Sequence, residues 1–410
     1  MAVRPTHWPR ALHSARQLAD IALDFDCAAS MPIDPAARQA MAEALTLDLG
    51  NPSSTHGKGQ AGRALVEWGR GQLAEALGVA PRELVLTSGA TEANALAWRG
   101  VLDPLLAAGR TPTVLTSAVE HASVRALAAD YRQRGVRVVE LPVDDQGQWR
   151  EETLDTLVAS ADLAFVSLIW VHNETGVVHP VARVAHAARS RGALVHTDGT
   201  QAMGRQAIDP SMLGVDAITL SGHKFGGPPG TGALWLRPGT SLQAVQPGHQ
   251  ELGMRGGTEN VLGIVGLGAA ATTLAARLVE APRVRRLRDR LATGLAELGG
   301  QRNAVAAPDQ DSGHIAHVSF VGLDAPRLVM ALDLAGLAVS AGSACASGTV
   351  EPSHVTRAMF GDGEAGRALA RGAVRFSVGP HHEDRDVDRA IALTAQVVGR
   401  LRQAAAARHW

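Results

Sequence analysis

Cysteine is nearly absent from this chain: Cys27 and Cys345 are the two among 410 residues. A protein of this length can bury a core without staples, so a disulfide framework is excluded and a reducing cytoplasm is the expected setting. An excess of either charge is also lacking, because 39 Lys and Arg face 40 Asp and Glu. No overall field therefore draws nucleic acid, an anionic membrane or an acidic partner, and the substrate has to be argued from a site. A membrane-length apolar run is missing as well. The longest uncharged stretch, 261–276, holds three glycines and two threonines and falls short of the ~20 residues that span a bilayer. It reads as a buried helix. Within it, Gly266-x-Gly268-x-x-Ala271 imitates a dinucleotide fingerprint but does not follow a strand, the context that motif requires. There is no repeat, no low-complexity segment, no Walker-type phosphate loop and no His/Cys/Asp run with the spacing of a permanent metal site.

What is present is a globular composition, 46% hydrophobic, with a regular layout. From about residue 80, short β-rich runs alternate with helix-length stretches: 84–87, 113–116, 136–139, 163–169, 193–198, 217–221 and 232–236 are predicted strands. That alternation predicts an α/β fold, a large domain with a mostly parallel seven-stranded sheet covered by helices, whose site lies at the carboxyl ends of the strands. After about residue 280 the pattern becomes an arginine-rich helix, then strands at 317–321, 337–340 and 372–377 around a helix at 325–334, a smaller α+β domain. The expected division is an extension at 1–22, acid-free over residues 1–19 and carrying Arg4, Arg10 and Arg16, a large domain at 23–275 and a small domain at 276–410. The first residues of the large domain are expected to pack with the small one.

The chemistry-bearing residues stand at strand ends. The run Ala217 to Lys224 ends in a hydroxyl, a glycine, an imidazole and an amine, which suits a lysine held in Schiff-base linkage to an aldehyde cofactor. The preceding strand ends on Asp198, a partner for a protonated pyridine nitrogen, and the two together suggest pyridoxal phosphate. Strand 84–87 runs through Ser88-Gly89-Ala90-Thr91 into a helix, whose free amides would hold a phosphate. His121 follows a strand and begins a helix, placed to stack on a flat ring and move protons, or simply to cap the helix. Cys345 lies in the small-residue stretch Ser340 to Thr349, where an accessible nucleophile is the favoured reading. Arg375 puts a guanidinium, suited to a carboxylate, inside a strand pattern.

In this order the segments resemble the class-V aminotransferase-like, pyridoxal-phosphate-dependent cysteine desulfurases of the NifS/IscS type, over roughly residues 23–395. The resemblance rests on Asn51 to His56, Thr87 to Asn94, Glu120-His121, Asn173 to Val177, Asp198 to Gln201, Ser221 to Lys224, Arg255 to Asn260, Gly342 to Cys345 and Arg375 to Ser377. It implies the type I fold of pyridoxal-phosphate-dependent transferases. It further implies that Lys224 carries the cofactor, Asp198 pairs with the pyridine nitrogen and His121 stacks on the ring. Asn173 and Gln201 would contact the ring hydroxyl side. Ala90, Thr91, Ser221 and His223 would hold the phosphate, with Thr258 reaching in from the neighbouring subunit of a homodimer, and Asn51 and Arg375 would hold the substrate carboxylate. The implied reaction takes L-cysteine to alanine, leaves a persulfide on Cys345 and passes sulfur to an acceptor protein. In the iron–sulfur assembly branch Cys345 would also hold a nascent cluster transiently, with no permanent metal. The alternatives are a selenocysteine or cysteine-sulfinate lyase of the same fold, or a sulfur-relay scaffold with weak catalysis. Three positions depart from the family pattern: His249, Leu252 and Cys27, the last expected to be a packing residue.

Overall fold

The computed structural model describes residue 15 and residues 23–158, 162–342 and 353–407. Cys345 lies outside the described residues. Twelve strands are described, β1 (Leu23–Asp24), β2 (Leu84–Thr87), β3 (Thr113–Ser117), β4 (Arg137–Leu141), β5 (Leu163–Ile169), β6 (Leu194–Asp198), β7 (Ala217–Ser221), β8 (Gly232–Leu236), β9 (Gln301–Arg302), β10 (Ile315–Ser319), β11 (Leu337–Ala338) and β12 (Ala373–Ser377).

Seven of them form the central sheet in the order β2-β8-β7-β6-β5-β3-β4, in which β8 alone runs antiparallel to its neighbours. The sheet is apolar on both faces because helices cover both. Alternate residues show it: Leu84, Leu86, Val166, Leu168, Ala233 and Trp235 enter one core, whereas Val85, Phe165 and Leu234 enter the core on the opposite face. The parallel strands end on one edge, so Thr87, Ser117, Asp198 and Ser221 gather there. Register makes this concrete, since Gly232 at the start of β8 pairs with both Thr87 and Ser221.

A separate core gathers most of the buried apolar residues from Val284 onward and includes Leu23 and Phe25 from the N-terminal segment, while Ala304, Val355 and Met359 join the first core. β1 pairs in parallel with β11, and β12-β10-β9 form an antiparallel sheet. The helix Leu274–Glu297 joins the two cores: Leu274 belongs to the first, and Leu287, Leu291 and Leu295 to the second.

Two expectations need correction. The run 261–276 is not one helix: it stops at Ala271 and restarts at Leu274 with a 56° bend. The cause is local, for the hydroxyls of Thr272 and Thr273 donate to the carbonyls of Ala269 and Ala270 at 2.8 and 2.9 Å and compete with the helix ladder. The first half, Gly263 to Ala271, is buried, and among the described residues no single helix is long and apolar enough to cross a membrane. The strand expected at 337–340 ends at Ala338, and Ser340 instead exchanges two backbone hydrogen bonds with Arg375.

Candidate active site

Asp198, buried at 4% exposure, ends β6. Its Oδ2 accepts the Asn94 side-chain amide at 2.9 Å and its Oδ1 accepts the Thr200 N–H at 3.0 Å. Asn94 also donates to Ser123 Oγ at 3.1 Å, and Ser123 Oγ lies 2.8 Å from His121 Nδ1. Asn94 had no assigned role in the sequence reading. Its signal was helical spacing, because a residue four positions after Ala90 shares that face of the helix Ala90–Ala107.

His121 caps the helix Ala122–Gln133, accepting the Ser123 N–H at Nδ1. Burial lowers its pKa, partly opposed by Asp198, and Lys224 lowers it further. The neutral ring therefore carries its proton on Nε2, the atom left free to deliver it. Glu120, just before it, is buried and accepts the Ser117 hydroxyl at 2.6 Å and the Ile169 N–H at 2.9 Å. Burial pushes this carboxyl up to about 8 despite those bonds, so it is mostly neutral at pH 7 and fixes the backbone entering His121.

Lys224 follows β7, and its Nζ donates to the carbonyls of Ala28 and Ala29 at 2.9 and 2.7 Å. Burial lowers the amine to about 8, helped by the positive charges of Arg375 and Arg205. Gln201 donates to the same Ala28 carbonyl at 2.8 Å, leaving its buried Oε1 without a partner. Residues 26–29 thus lie against the site, which no local pattern revealed.

The turn between β2 and its helix is tight. Gly89 has φ +151, and a Cβ on Gly232 would stand 2.6 Å from Gly89 Cα. No side chain caps the helix that starts at Ala90 and Thr91. Ser221 Oγ, fully buried, lies 3.0 Å from His223 Nδ1, and burial, then Lys224 and His121, hold that imidazole down to about 4, neutral at pH 7.

Arg375 is 3% exposed on β12 and donates to the Asn173 carbonyl at 2.7 Å and to Asp26 Oδ1 at 2.6 Å, with Nε unpartnered. Asn51 and Thr258 take no part in these bonds. Both are exposed, they are bonded to each other at 3.4 Å, and neither is hydrogen-bonded to the Lys224 cluster or to Arg375. Cys27 is a buried free thiol whose pKa burial drives up, with Asp24 adding to the effect. Its sulfur and the rings of His381 and His382 bring three potential ligand atoms within 4.8 Å of one another. Both His382 nitrogens are already engaged, by Gly379 and Asp24, so the cluster is not a ready metal centre.

A lysine and an aspartate thus follow or end adjacent parallel strands, with an uncapped helix start and a neutral imidazole on the same edge of the sheet. The profile of the Aminotransferase class-V family matches residues 24–390, and the chain belongs to that family. The likeness reaches further. A cysteine desulfurase of Cereibacter sphaeroides is 40% identical over 92% of this chain and 96% of its own length. The cysteine desulfurase NifS of Azotobacter vinelandii is 36% identical over 94% of each. A solved NifS-like protein superposes with a TM-score of 0.84 at 30% identity, covering 92% of this chain and 99% of its own. Within its family the chain groups with the NifS/IscS-type, pyridoxal-phosphate-dependent enzymes.

Proposed function

We propose that this protein is a cysteine desulfurase that converts L-cysteine to L-alanine and carries the sulfur as a persulfide on Cys345. The observation carrying the reading is the meeting of Lys224, Asp198 and His121 on one edge of the sheet, in a chain whose relatives bear that name. Pyridoxal phosphate, when bound, supplies an electron sink for bonds at the amino acid's α-carbon.

The residues fit that group. The uncapped amides of Ala90 and Thr91, with Ser221 and His223, suit a phosphate, and the Gly89–Gly232 approach leaves no room for a side chain in the cradle. Gln201 Oε1, a buried acceptor without a donor, suits the ring hydroxyl, and the family resemblance adds Asn173 as a second contact there. Asp198, held by Asn94 and Thr200, suits a protonated pyridine nitrogen. Lys224 holds the cofactor through an amine already depressed toward neutrality.

His121 holds its proton at Nε2 and gives it up beside the reacting carbon or sulfur. Arg375, with an unused Nε and a fork suited to two oxygens, takes the substrate carboxylate, with Asn51 assisting. The Cys345 thiolate attacks the substrate sulfur. An S–S bond forms, the Cβ–S bond breaks with its electron pair passing to the carbon skeleton, and that carbon takes a proton to become alanine. The persulfide then passes to an acceptor protein. We further propose a homodimer in which Thr258 serves the partner's site, supported by the exposure of Thr258, Trp68 and Leu252, and a cytoplasmic setting, supported by the free thiol of Cys27.

The test is sulfide release from L-cysteine with a reductant, comparing cofactor-loaded protein with Cys345→Ala. Release abolished by the substitution is expected. Equal release from both proteins would refute the persulfide route.

A further inference from the structure

Asn94 is fully buried on the helix Ala90–Ala107, one turn past the start that suits a phosphate, and the neighbouring Ala93, Ala97 and Trp98 enter an apolar core. Its Oδ1 has no hydrogen-bond partner, so an amide at this place carries a desolvation cost that an apolar residue would not. The two protons of Nδ2 go to Asp198 Oδ2 at 2.9 Å and to Ser123 Oγ at 3.1 Å. An ionised carboxylate only accepts, which fixes the nitrogen of the amide, and not its oxygen, on the Asp198 side. Ser123 Oγ, accepting from Asn94, is left to donate its own proton to His121 Nδ1 at 2.8 Å, beside the Ser123 N–H at 3.2 Å. Among the described residues no other hydrogen bond reaches that ring, so these two donors decide that the neutral ring holds its proton on Nε2. The surrounding charges act instead on the overall protonation: Asp198 favours the charged ring, Lys224 opposes it, and the nearby His223, His354 and Glu120 are mostly neutral at pH 7.

We propose that Asn94 is a positioning residue for the desulfurase reaction: one buried amide aligns the carboxylate that pairs with the cofactor ring and, through Ser123, selects the ring nitrogen of His121 that carries the mobile proton. The inference rests on the desulfurase reading. Three elements meet at this amide, the helix Ala90–Ala107, the end of β6 and the helix Ala122–Gln133, so the acid partner of the cofactor and the proton carrier are set in advance by the same group.

L-cysteine turnover by the cofactor-loaded enzyme across pH, together with absorbance titration of pyridoxal phosphate binding, tests it on Ser123→Ala, Ser123→Thr and Asn94→Leu. Ser123→Ala cuts the His121 arm alone, and kcat should fall about tenfold while KM and cofactor affinity stay within about twofold. His121 Nδ1 then keeps only the backbone donor, the neutral ring loses a bond that favours it, and the acid limb of kcat/KM should move up by about 0.5–1 pH unit. Ser123→Thr keeps a hydroxyl and should return kcat to within about threefold of wild type. Asn94→Leu cuts both arms, so cofactor affinity should fall by at least about fivefold along with kcat. In a His121→Gln background, Ser123→Ala should cost less than about twofold more, because the arm has nothing left to position. Unchanged kcat in Ser123→Ala, a loss that Ser123→Thr does not restore, an unmoved acid limb, a full further loss in the His121→Gln background, or full cofactor affinity in Asn94→Leu overturns the proposal. Should Asn94→Leu not fold, the Ser123 variants and the His121→Gln background still decide. Wild-type protein that does not turn over cysteine sinks the desulfurase reading and the inference with it, whereas an active wild type with indifferent variants sinks the inference alone.

Discussion

Glu251→Ala should loosen both the fold and the cofactor cradle. Glu251 is 2% exposed at its side chain and Arg70 is 9% exposed. The carboxylate accepts two bonds from Arg70, at 2.8 and 2.6 Å, and a third from the Leu86 N–H at 2.7 Å, while Arg70 also donates to the Leu84 carbonyl at 2.9 Å. Removing the carboxylate leaves a buried guanidinium with the Leu84 carbonyl and the half-exposed Glu67 carboxylate, 3.4 Å away, and orphans a strand amide; breaking such a buried pair costs about 3–5 kcal/mol, with Glu67 pulling the loss toward the lower end. That is a large share of the ~5–15 kcal/mol that holds a typical domain together. Glu251 sits at φ +48, and alanine keeps that conformation, so relief of backbone strain does not offset the loss. Leu86 lies on β2 directly before Thr87 and the Gly89 turn, so the slackening reaches the start of the helix at Ala90. The assay is the urea midpoint of the apo-protein, together with hydrogen exchange at Leu86 and the cofactor dissociation constant. The double variant Arg70→Met/Glu251→Leu should recover part of the stability, because apolar replacement of a whole buried pair is commonly neutral or better while the Leu86 N–H still lacks its acceptor. A loss under about 1 kcal/mol, with Leu86 still protected, would refute the reasoning.

Lys224 is depressed to about 8 from an ordinary 10.5, so the folded apo-protein binds fewer protons than the unfolded chain between those values and its stability should rise with pH across that window. Lys224→Met should accordingly stabilise the apo-protein most below about pH 8, the advantage fading toward 10.5, as thermal melts across pH would report. Gly232→Ala forces a Cβ to within 2.6 Å of Gly89 Cα and should weaken cofactor binding by at least about tenfold in absorbance titrations; unchanged affinity would remove the cradle from this turn. His121→Gln should lower kcat by about 10²–10⁴-fold, the range of a lost proton-transfer group, and a loss below tenfold in steady-state assays would reduce His121 to a helix cap.

The sequence alone placed Lys224, Asp198, His121 and the Ala90 helix start at strand ends, because a strand's apolar run and its polar break are local and the parallel layout sends those breaks to one edge. It also carried the motifs of the family, in order, over most of the chain. It erred where local competition decides, as at the hydroxyls of Thr272 and Thr273 that end a helix apolar enough to continue. Tertiary structure alone decided the partners. Asn94 meets Asp198 across 104 positions, Glu174 meets Ser353 across 179, Arg70 meets Glu251 across 181, and Lys224 meets the Ala28 carbonyl across 196. Each is a polar group that becomes costly once buried, and which distant group satisfies it depends on how the two cores pack together, information that no window of neighbouring residues contains.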